Sequence, residues 1–202
     1  MNADHTRVRE FFAPRADGWD TRFPDDAPAF AAAVAELGLR LGDAVLDAGC
    51  GTGRALPALR EAVGPGGTVL GADLTPEMLH AAARAGRDRS AALALADVAR
   101  LPLRAASLDA AFAAGLVAHL PDPGDGLREL ARVVRPDGWL ALFHPIGRAA
   151  LAARQGREIT SDDLRAETNL GPLLKSAGWH LVSYADEDAR FLALAVRRSP
   201  TA

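Results

Sequence analysis

The stretch "LDAGCGTGRALP", residues 46–57, carries three glycines at alternate positions directly after a short apolar run. Ordering a glycine costs more conformational entropy than ordering any other residue, so three in five positions indicate a backbone that must come close to something. A glycine-rich turn between a strand and a helix lets backbone N–H groups reach a ligand at the carboxyl edge of a parallel sheet. The stretch therefore predicts a strand, a ligand-binding turn and a helix, in that order.

The rest of the chain repeats this alternation of short apolar runs and helical patterns. The links between the runs are too long for hairpins, so we predict a mainly parallel sheet with helices on both faces. The predicted buried strands are residues 44–49, 68–73, 92–97, 108–115 and 138–144, and the predicted helices between them are residues 53–63, 75–85 and 125–134.

The last quarter of the chain follows a different pattern. A helical stretch opens at residues 160–163 and ends near residue 176, with an interruption expected at Gly171 and Pro172. Two strand-like runs follow at residues 179–184 and 190–196, and only a few residues separate them. Such a short link predicts an antiparallel hairpin.

The spacing of the glycines distinguishes two classes of ligand. The dinucleotide fingerprint is G-x-G-x-x-G, whose third glycine allows the helix to pack closely on the strand. Gly49 and Gly51 match its first two positions, but Arg54 stands at the third. The glycines run instead as Gly49, Gly51 and Gly53, preceded by Asp47. This D-x-G-x-G-x-G pattern resembles the first motif of the class I S-adenosylmethionine-dependent methyltransferases.

The resemblance covers roughly residues 40–198. It recurs in "GADLTPEML" (71–79), "ADVARLPL" (96–103), "SLDAAFAAGLVAHLPDP" (107–123) and "LRELARVVRPDGWLALFHP" (127–145). It implies a three-layer α/β sandwich around a Rossmann-like sheet of seven strands. The implied strand order is 3-2-1-4-5-7-6, with the seventh strand antiparallel to the others.

The resemblance also implies a site for S-adenosyl-L-methionine. Asp73 stands where the family holds the ribose hydroxyls, and Asp97 where an acid faces the adenine amino group. A carboxylate suits both places because it only accepts hydrogen bonds, while hydroxyl and amino groups donate them. The residues that we expect to bind this cofactor are Asp47, Gly49, Cys50, Gly51, Gly53, Asp73, Leu74, Met78, Asp97, Val98 and Ala114.

Simpler roles stay open for three of these residues. An aspartate at a strand end is often a turn former or helix N-cap, which applies to Asp97 in particular. Asp47 can hold the glycine turn through backbone N–H groups rather than contact the cofactor. Cys50 fits a small packing residue better than a nucleophile, because no triad partner can be identified around it.

Methyl transfer from a sulfonium needs mainly alignment and exclusion of water, and a base only where the acceptor must lose a proton. His144, directly after the fifth predicted strand, and His119 are the candidate catalytic bases, with Tyr184 a weaker one. A structural role is the alternative for each histidine.

The fourth strand ends in "AAGL" (113–116), without the Asn/Asp-Pro-Pro-aromatic motif of amino-group methyltransferases. The sequence therefore favours an unidentified small-molecule acceptor.

The composition of the chain limits which binding partners and which cellular location we expect. The net charge of −3 disfavours a general grip on nucleic acid, and the single cysteine excludes an internal disulfide or a cysteine-based metal site. No stretch reaches the roughly 18 apolar residues that span a membrane, and the first ten residues have no apolar signal core. We expect no metal, no membrane contact and a cytoplasmic protein, either a monomer or a homodimer.

We expect one methyltransferase domain over residues 1–202, with a core at 40–198 and an N-terminal helical arm at 1–30. The arm can pack on the flank of the sheet or close as a lid over a ligand, in which case His5 and Trp19 would touch it. The arm holds five of the eleven aromatic residues of the chain, namely Phe11, Phe12, Trp19, Phe23 and Phe30.

Arg148, Arg154 and Arg157 form a basic stretch after the fifth strand. This stretch fits a solvated helix face better than a surface that attracts an acidic acceptor. The chain uses arginine for all of its 23 lysine and arginine positions except Lys175, so an arginine cluster is weak evidence of function.

Two rival functions remain: a protein that binds S-adenosylmethionine without transferring its methyl group, and a nicotinamide-dependent oxidoreductase. The residue at position 54 and the terminal hairpin disfavour the oxidoreductase.

Overall fold

The computed structural model describes residues 3–22 and 26–199. Phe23, one of the five aromatic residues of the arm, lies outside the described residues. The strands are β1 Ala44–Ala48, β2 Thr68–Asp73, β3 Ala92–Leu95, β4 Leu108–Ala114, β5 Val134–His144, β6 Trp179–Glu187 and β7 Arg190–Arg197. The α-helices are α1 Ala3–Phe12, α2 Ala27–Glu36, α3 Leu56–Val63, α4 Pro76–Arg84, α5 Pro123–Val133, α6 Arg148–Arg154 and α7 Glu167–Ser176.

The seven strands form one sheet in the order β3-β2-β1-β4-β5-β7-β6, which confirms the predicted topology. The pairs among β1 to β5 are parallel, whereas β7 is antiparallel to both β5 and β6. In the β5–β7 pair, His144 lies opposite Phe191. The antiparallel strand therefore brings the start of β7 to the edge at which β5 ends.

Helices cover both faces of the sheet, as the buried strands require. Along β4, Ala110 and Phe112 point to one face, and Ala111 and Ala113 to the other. This alternation follows from the two-residue period of a strand. On the first face the core includes apolar residues of α2 and α3, and on the second it includes residues of α5 and α7.

Two helix predictions were wrong at their boundaries. α3 begins at Leu56 rather than at residue 53, because Gly51 and Gly53 have φ of +54° and +79°, outside the right-handed helical region. The last helix begins at Glu167 rather than near residue 160, and it runs through Pro172 without the expected interruption. Leu170 and Leu174 are both fully buried, so packing on either side of the proline holds this helix together.

Two strand predictions also need correction. β3 is not buried, because it is a four-residue edge strand, and Leu95 is 61% exposed. β5 begins at Val134 rather than at residue 138. Its pairing with β4 shifts register after Leu108, so residues 135–138 bulge opposite Asp109. No helix among the described residues is long and apolar enough to cross a membrane.

The arm divides into two parts with different surroundings. On α2, the Phe30 ring packs on those of Phe143 and Phe112, at centroid distances of 5.1 and 6.4 Å, so this part lies on the flank of the sheet. On α1, His5 and Phe11 line a cavity beyond the ends of the strands. The flank role is therefore found for α2, whereas α1 lies at the cavity and its closure as a lid stays a prediction.

Candidate functional site

A cavity of about 410 Å³ opens at the carboxyl ends of the parallel strands. This is the edge at which open α/β sheets bind ligands, and the volume lies within the roughly 300–1,000 Å³ of small-molecule sites. The turns after β1, β2, β3, β4 and β5 contribute to the lining, and α1 contributes from the arm. The chain segments that carry the sequence motifs thus meet around one cavity.

The three glycines of the turn after β1 serve two purposes. All three have positive φ. A Cβ atom at Gly49 would lie 2.8 Å from Cδ1 of Leu116, and one at Gly53 would lie 2.7 Å from Cδ1 of Leu56, so a side chain at either position would strain the backbone and displace a leucine side chain. A Cβ at Gly51 would come no closer than 4.0 Å to Sδ of Met78, its nearest neighbour among the described residues. The space beside Gly51 belongs to the cavity.

Asp73, the last residue of β2, ties this turn to the next one. Its Oδ2 accepts a hydrogen bond from Gly51 N at 2.8 Å, and its Oδ1 accepts one from Thr75 N at 2.8 Å. Burial raises the pKa of Asp73, and the two backbone hydrogen bonds oppose that rise by stabilising the charged form. Each oxygen keeps a further lone pair, so the carboxylate can still accept hydrogen bonds from a ligand.

Asp47, on β1, is the second acid beside the glycine turn. It is only 1% exposed, and burial, followed by the charge of Asp73, raises its pKa from 3.8 to about 8. Asp47 is therefore protonated at neutral pH and can donate a hydrogen bond. Burial likewise raises the pKa of the Cys50 thiol, which keeps it un-ionised and makes it a weak nucleophile.

Asp97 follows β3 and is engaged on both oxygens. Its Oδ1 accepts a hydrogen bond from Ala99 N at 2.9 Å, and its Oδ2 lies 3.2 Å from Nε2 of His5 on α1. The first contact is the turn-forming role that the sequence left open. The second joins the arm to the acid for which we expected a role in adenine binding.

Buried apolar residues complete this side of the cavity. Met78 and Val98 are 2% and 5% exposed, and with Leu74 they line the cavity. We call this side the acidic half, defined by Asp47, Gly49, Gly51, Asp73 and Asp97.

The opposite side holds nitrogen bases. His144 ends β5, and its Nδ1 lies 2.8 Å from the carbonyl oxygen of Ile146 and 3.1 Å from Ile146 N. His119 ends the short 3-10 turn Val117–His119, and its ring lies 5.0 Å from that of Phe12 and 6.3 Å from that of Phe11. Burial lowers the pKa of both histidines, so both imidazoles are neutral at pH 7.

Two arginines border the same side. Arg165 and Arg157 line the cavity, and the charge of Arg165 further lowers the pKa of both histidines. We call this side the basic half, defined by His119, His144, Arg157 and Arg165. Sequence reasoning missed Arg165, because an arginine without a motif carries no signal in an arginine-rich chain.

The cavity brings together all the predicted site residues except Gly53 and the weaker candidate base, Tyr184. The missing side chain of Gly53 makes room for Leu56 and Ala82. Tyr184 does not line the cavity, and its hydroxyl donates to the carbonyl oxygen of Arg165 at 2.9 Å. The residues inside the cavity are Asp47, Gly49, Cys50, Gly51, Asp73, Leu74, Met78, Asp97, Val98, Ala114, His119 and His144.

Within the basic stretch after β5, only Arg157 lines the cavity. Arg148 is held by Asp186 at 2.9 Å and lies 3.4 Å from Asp163, so it anchors α6 to the hairpin. Arg154 is exposed, as expected for a solvated helix face.

Comparison with known proteins agrees with this geometry. Residues 46–142 match a family model described as a methyltransferase domain. Nocamycin O-methyltransferase of Saccharothrix syringae is 37% identical over 110 residues, which cover 53% of this chain and 39% of that protein. Methyltransferase GfsG of Streptomyces halstedii is 33% identical over 161 residues, which cover 74% of this chain and 57% of that one. The chain thus spans about 39% to 57% of the length of these relatives.

The fold agrees with that of a solved methyltransferase. The crystal structure of magnesium protoporphyrin IX methyltransferase from Synechocystis PCC 6803 with bound S-adenosylmethionine superposes with a TM-score of 0.71. The sequence identity is 20%, and the match covers 98% of this chain and 100% of that chain. The predicted fold class is thereby confirmed.

Proposed function

Because this chain carries a class I S-adenosylmethionine-dependent methyltransferase domain, we propose that it transfers the methyl group of S-adenosylmethionine to a small-molecule acceptor. One observation carries the proposal. Asp73 accepts hydrogen bonds from the glycine turn and from the start of α4, and it borders a cavity in which Gly51 leaves room for a ligand.

The acidic half matches the chemistry of a nucleoside with a charged tail. The Asp73 carboxylate would accept hydrogen bonds from two ribose hydroxyls, and Asp97 would accept one from the adenine amino group. The backbone N–H of Val98 would donate to a ring nitrogen, while Leu74 and Met78 would pack on the faces of the ring. We assign the backbone around Gly49, Gly51 and Ala114 to close contact with the ribose and the amino-acid tail.

S-adenosylmethionine supplies an activated methyl group on a sulfonium, so the chain itself needs to align the acceptor and exclude water. The α1 residues Val8, Phe11 and Phe12 border the cavity and would exclude water from it. We infer that residues 1–202 act as one domain, with the arm at residues 1–30 covering the core at residues 40–198.

His144 is the group that we assign as the general base for an acceptor that must lose a proton. Its neutral imidazole has a lone pair on only one nitrogen. We assign the tautomer in which Nδ1–H donates to Ile146 O at 2.8 Å, the shorter contact, rather than the one in which Nδ1 accepts the N–H of Ile146 at 3.1 Å. In the assigned tautomer the lone pair lies on Nε2. His119 is the second candidate, although its contacts with Phe11 and Phe12 equally suit the support of α1.

Calorimetry with S-adenosylmethionine, S-adenosylhomocysteine and NAD tests the binding step. We expect both sulfur ligands to bind and NAD to give no heat. Binding of NAD with silence from both sulfur ligands would overturn the proposal.

A coupled assay for S-adenosylhomocysteine release, run over a panel of hydroxylated small molecules, tests the transfer. His144→Gln should keep its affinity for S-adenosylhomocysteine and lose turnover. His80→Gln, a change on α4 outside the cavity, is the matched control and should lose neither. Binding of S-adenosylmethionine without turnover on any acceptor would instead favour a binding protein.

A further inference from the structure

The guanidinium group of Arg165 stands at the cavity in an unusual setting for a half-buried cation. Its side chain is 20% exposed, and the carboxylate oxygen beside it, Oδ1 of Asp163, lies 3.6 Å from its Nε, beyond hydrogen-bond distance. Its other neighbour is the ring of Phe191, with 5.9 Å between Cζ and the ring centroid. Among the described residues, no side chain or carbonyl accepts a hydrogen bond from this guanidinium.

The carboxylate beside Arg165 is already shared. Oδ1 of Asp163 accepts the backbone N–H of Arg165 at 2.9 Å, and its Oδ2 lies 3.4 Å from Nη1 of Arg148. Arg148 has a second and closer carboxylate in Asp186, at 2.9 Å, whereas Asp163 is the one acid within 4 Å of the Arg165 guanidinium among the described residues. Asp26, another acid at the cavity, pairs with Arg54 at 2.9 Å. The guanidinium of Arg165 therefore keeps N–H donors that none of these acids accepts within hydrogen-bond distance.

The Arg165 guanidinium lies away from the acidic half. Phe191, which Arg165 contacts, is paired with His144 at the end of β5. The charge of Arg165 acts on His119 and His144, whereas it is not among the causes that shift the pKa of Asp47 or Asp73. Arg165 thus faces the end of the cavity that the proposed cofactor would leave for the acceptor.

We propose that the acceptor carries a carboxylate, that Arg165 binds this carboxylate through its planar fork, and that the apolar part of the acceptor packs on the Phe11, Phe12 and Ile146 side of the cavity. An arginine presents two parallel N–H donors to a carboxylate, which fixes orientation as well as affinity. Apolar walls with one convergent charged group are the usual construction of a small-molecule site. This inference rests on the proposed function, because it assigns the acceptor class of the same cavity.

The test uses pairs of probes that match in size and differ in charge. Benzoate, 4-hydroxybenzoate and 3-phenylpropionate are each compared with the corresponding amide, by ligand-observed NMR on the full chain saturated with S-adenosylhomocysteine. We expect at least one acid to bind about 10-fold to 100-fold more tightly than its amide, the range of a charge-assisted pair. If every acid binds no better than its amide, the proposal is wrong.

Three variants locate the effect. Arg165→Met should abolish the preference for the acid, and Arg165→Lys should keep part of it because the charge remains without the fork. Arg154→Met, at an exposed position of α6 outside the cavity, should keep all of it. Thermal unfolding checks that each variant is folded. A preference that survives in Arg165→Met overturns the proposal, and Arg165→Lys then serves as the test if the methionine variant does not fold.

The remaining ligand that Arg165 can serve is the carboxylate of the cofactor itself. If Arg165→Met weakens binding of S-adenosylhomocysteine and leaves 5′-methylthioadenosine, which has no amino-acid tail, unaffected, then Arg165 holds the cofactor and the proposal fails. Absence of S-adenosylhomocysteine binding by the unmodified chain would sink the proposed function together with this inference. Binding of S-adenosylhomocysteine without discrimination between acid and amide would sink this inference alone.

Discussion

The acidic and basic halves of the cavity are built in different ways. In the acidic half each residue lies in a strand or within a few positions of its end. Asp73 and Asp97 each accept a hydrogen bond from the backbone N–H two residues further along the chain, and Asp73 accepts a second one from Gly51 in the neighbouring turn. In the basic half, His119 is held by aromatic rings of α1, and Arg165 comes from the segment between α6 and α7. His144 ends β5 and is likewise held by backbone groups, those of Ile146. A site built on strand ends suits one constant ligand, whereas the side chains of the basic half that lie outside the strands, His119 and Arg165, can be changed for a new acceptor.

The largest expected effect comes from filling the acidic half. Gly51→Val places a branched side chain into the cavity at a residue with φ +54°, so we expect no measurable calorimetric binding of S-adenosylhomocysteine. Gly38→Val is the matched control, because Gly38 has φ +71° and a Cβ there would meet no atom of the described residues within 4 Å. The control should show a similar loss of stability with unchanged binding. Equal binding in both variants would place the cofactor elsewhere.

The next effect concerns the proton on Asp47. In the unfolded chain the pKa is near 3.8, and in the fold it is about 8, so between these values the folded state binds one more proton than the unfolded state. The free energy of unfolding therefore falls as pH rises from about 4 to about 8. Asp47→Asn keeps the shape of the neutral acid but cannot ionise, so this variant should not lose stability through residue 47 as the pH rises.

Urea unfolding of both proteins at several pH values measures the difference. The asparagine variant and the unmodified chain should have similar stability near pH 4, and the variant should be more stable by a few kcal/mol near pH 8, since each pKa unit corresponds to about 1.4 kcal/mol. Parallel stability curves over this range would mean that Asp47 is charged in the fold.

Removal of the Asp73 carboxylate should weaken the affinity for S-adenosylhomocysteine by about 1.5–3 kcal/mol, the range for a charge-assisted hydrogen bond. Asp73→Ala also leaves Gly51 N and Thr75 N without their acceptor. Asp109→Ala is the control at the opposite end of the sheet, where Asp109 accepts the N–H of Ala44 at 2.8 Å. The control should lose stability but not affinity. Unchanged affinity in Asp73→Ala would contradict the assignment of the acidic half.

The smallest expected effect concerns the contact between the arm and the acidic half. His5 and Asp97 are 22% and 27% exposed, so solvent and salt screen the pair, and its loss in His5→Gln should cost less than about 1 kcal/mol. Thermal unfolding and calorimetry at low and high salt measure this. His180→Gln, an exposed change on β6, is the reference. A loss well above this range would make His5 a main anchor of the arm.

Much of the acidic half could be predicted from the sequence, because its residues are tied to strand ends that the apolar runs already indicate. The glycine turn follows the first apolar run, and Asp73 and Asp97 end the second and third runs. The prediction failed where packing decides. Nothing local shows that Gly53 makes room for Leu56, or that Leu170 and Leu174 hold a helix through Pro172.

By itself the sequence determined the alternation of strands and helices along the chain, the place of the glycine turn and the acids at the strand ends, because these depend on periodicity and on conformations open to few residues besides glycine. The order of the strands within the sheet was implied by the family resemblance. Only the tertiary structure decided that His5 reaches Asp97, that Asp47 keeps its proton, and that Arg165 lines the same cavity as two neutral histidines. These properties arise from burial and from contacts between segments that are distant along the chain. No window of the sequence contains both partners of such a contact.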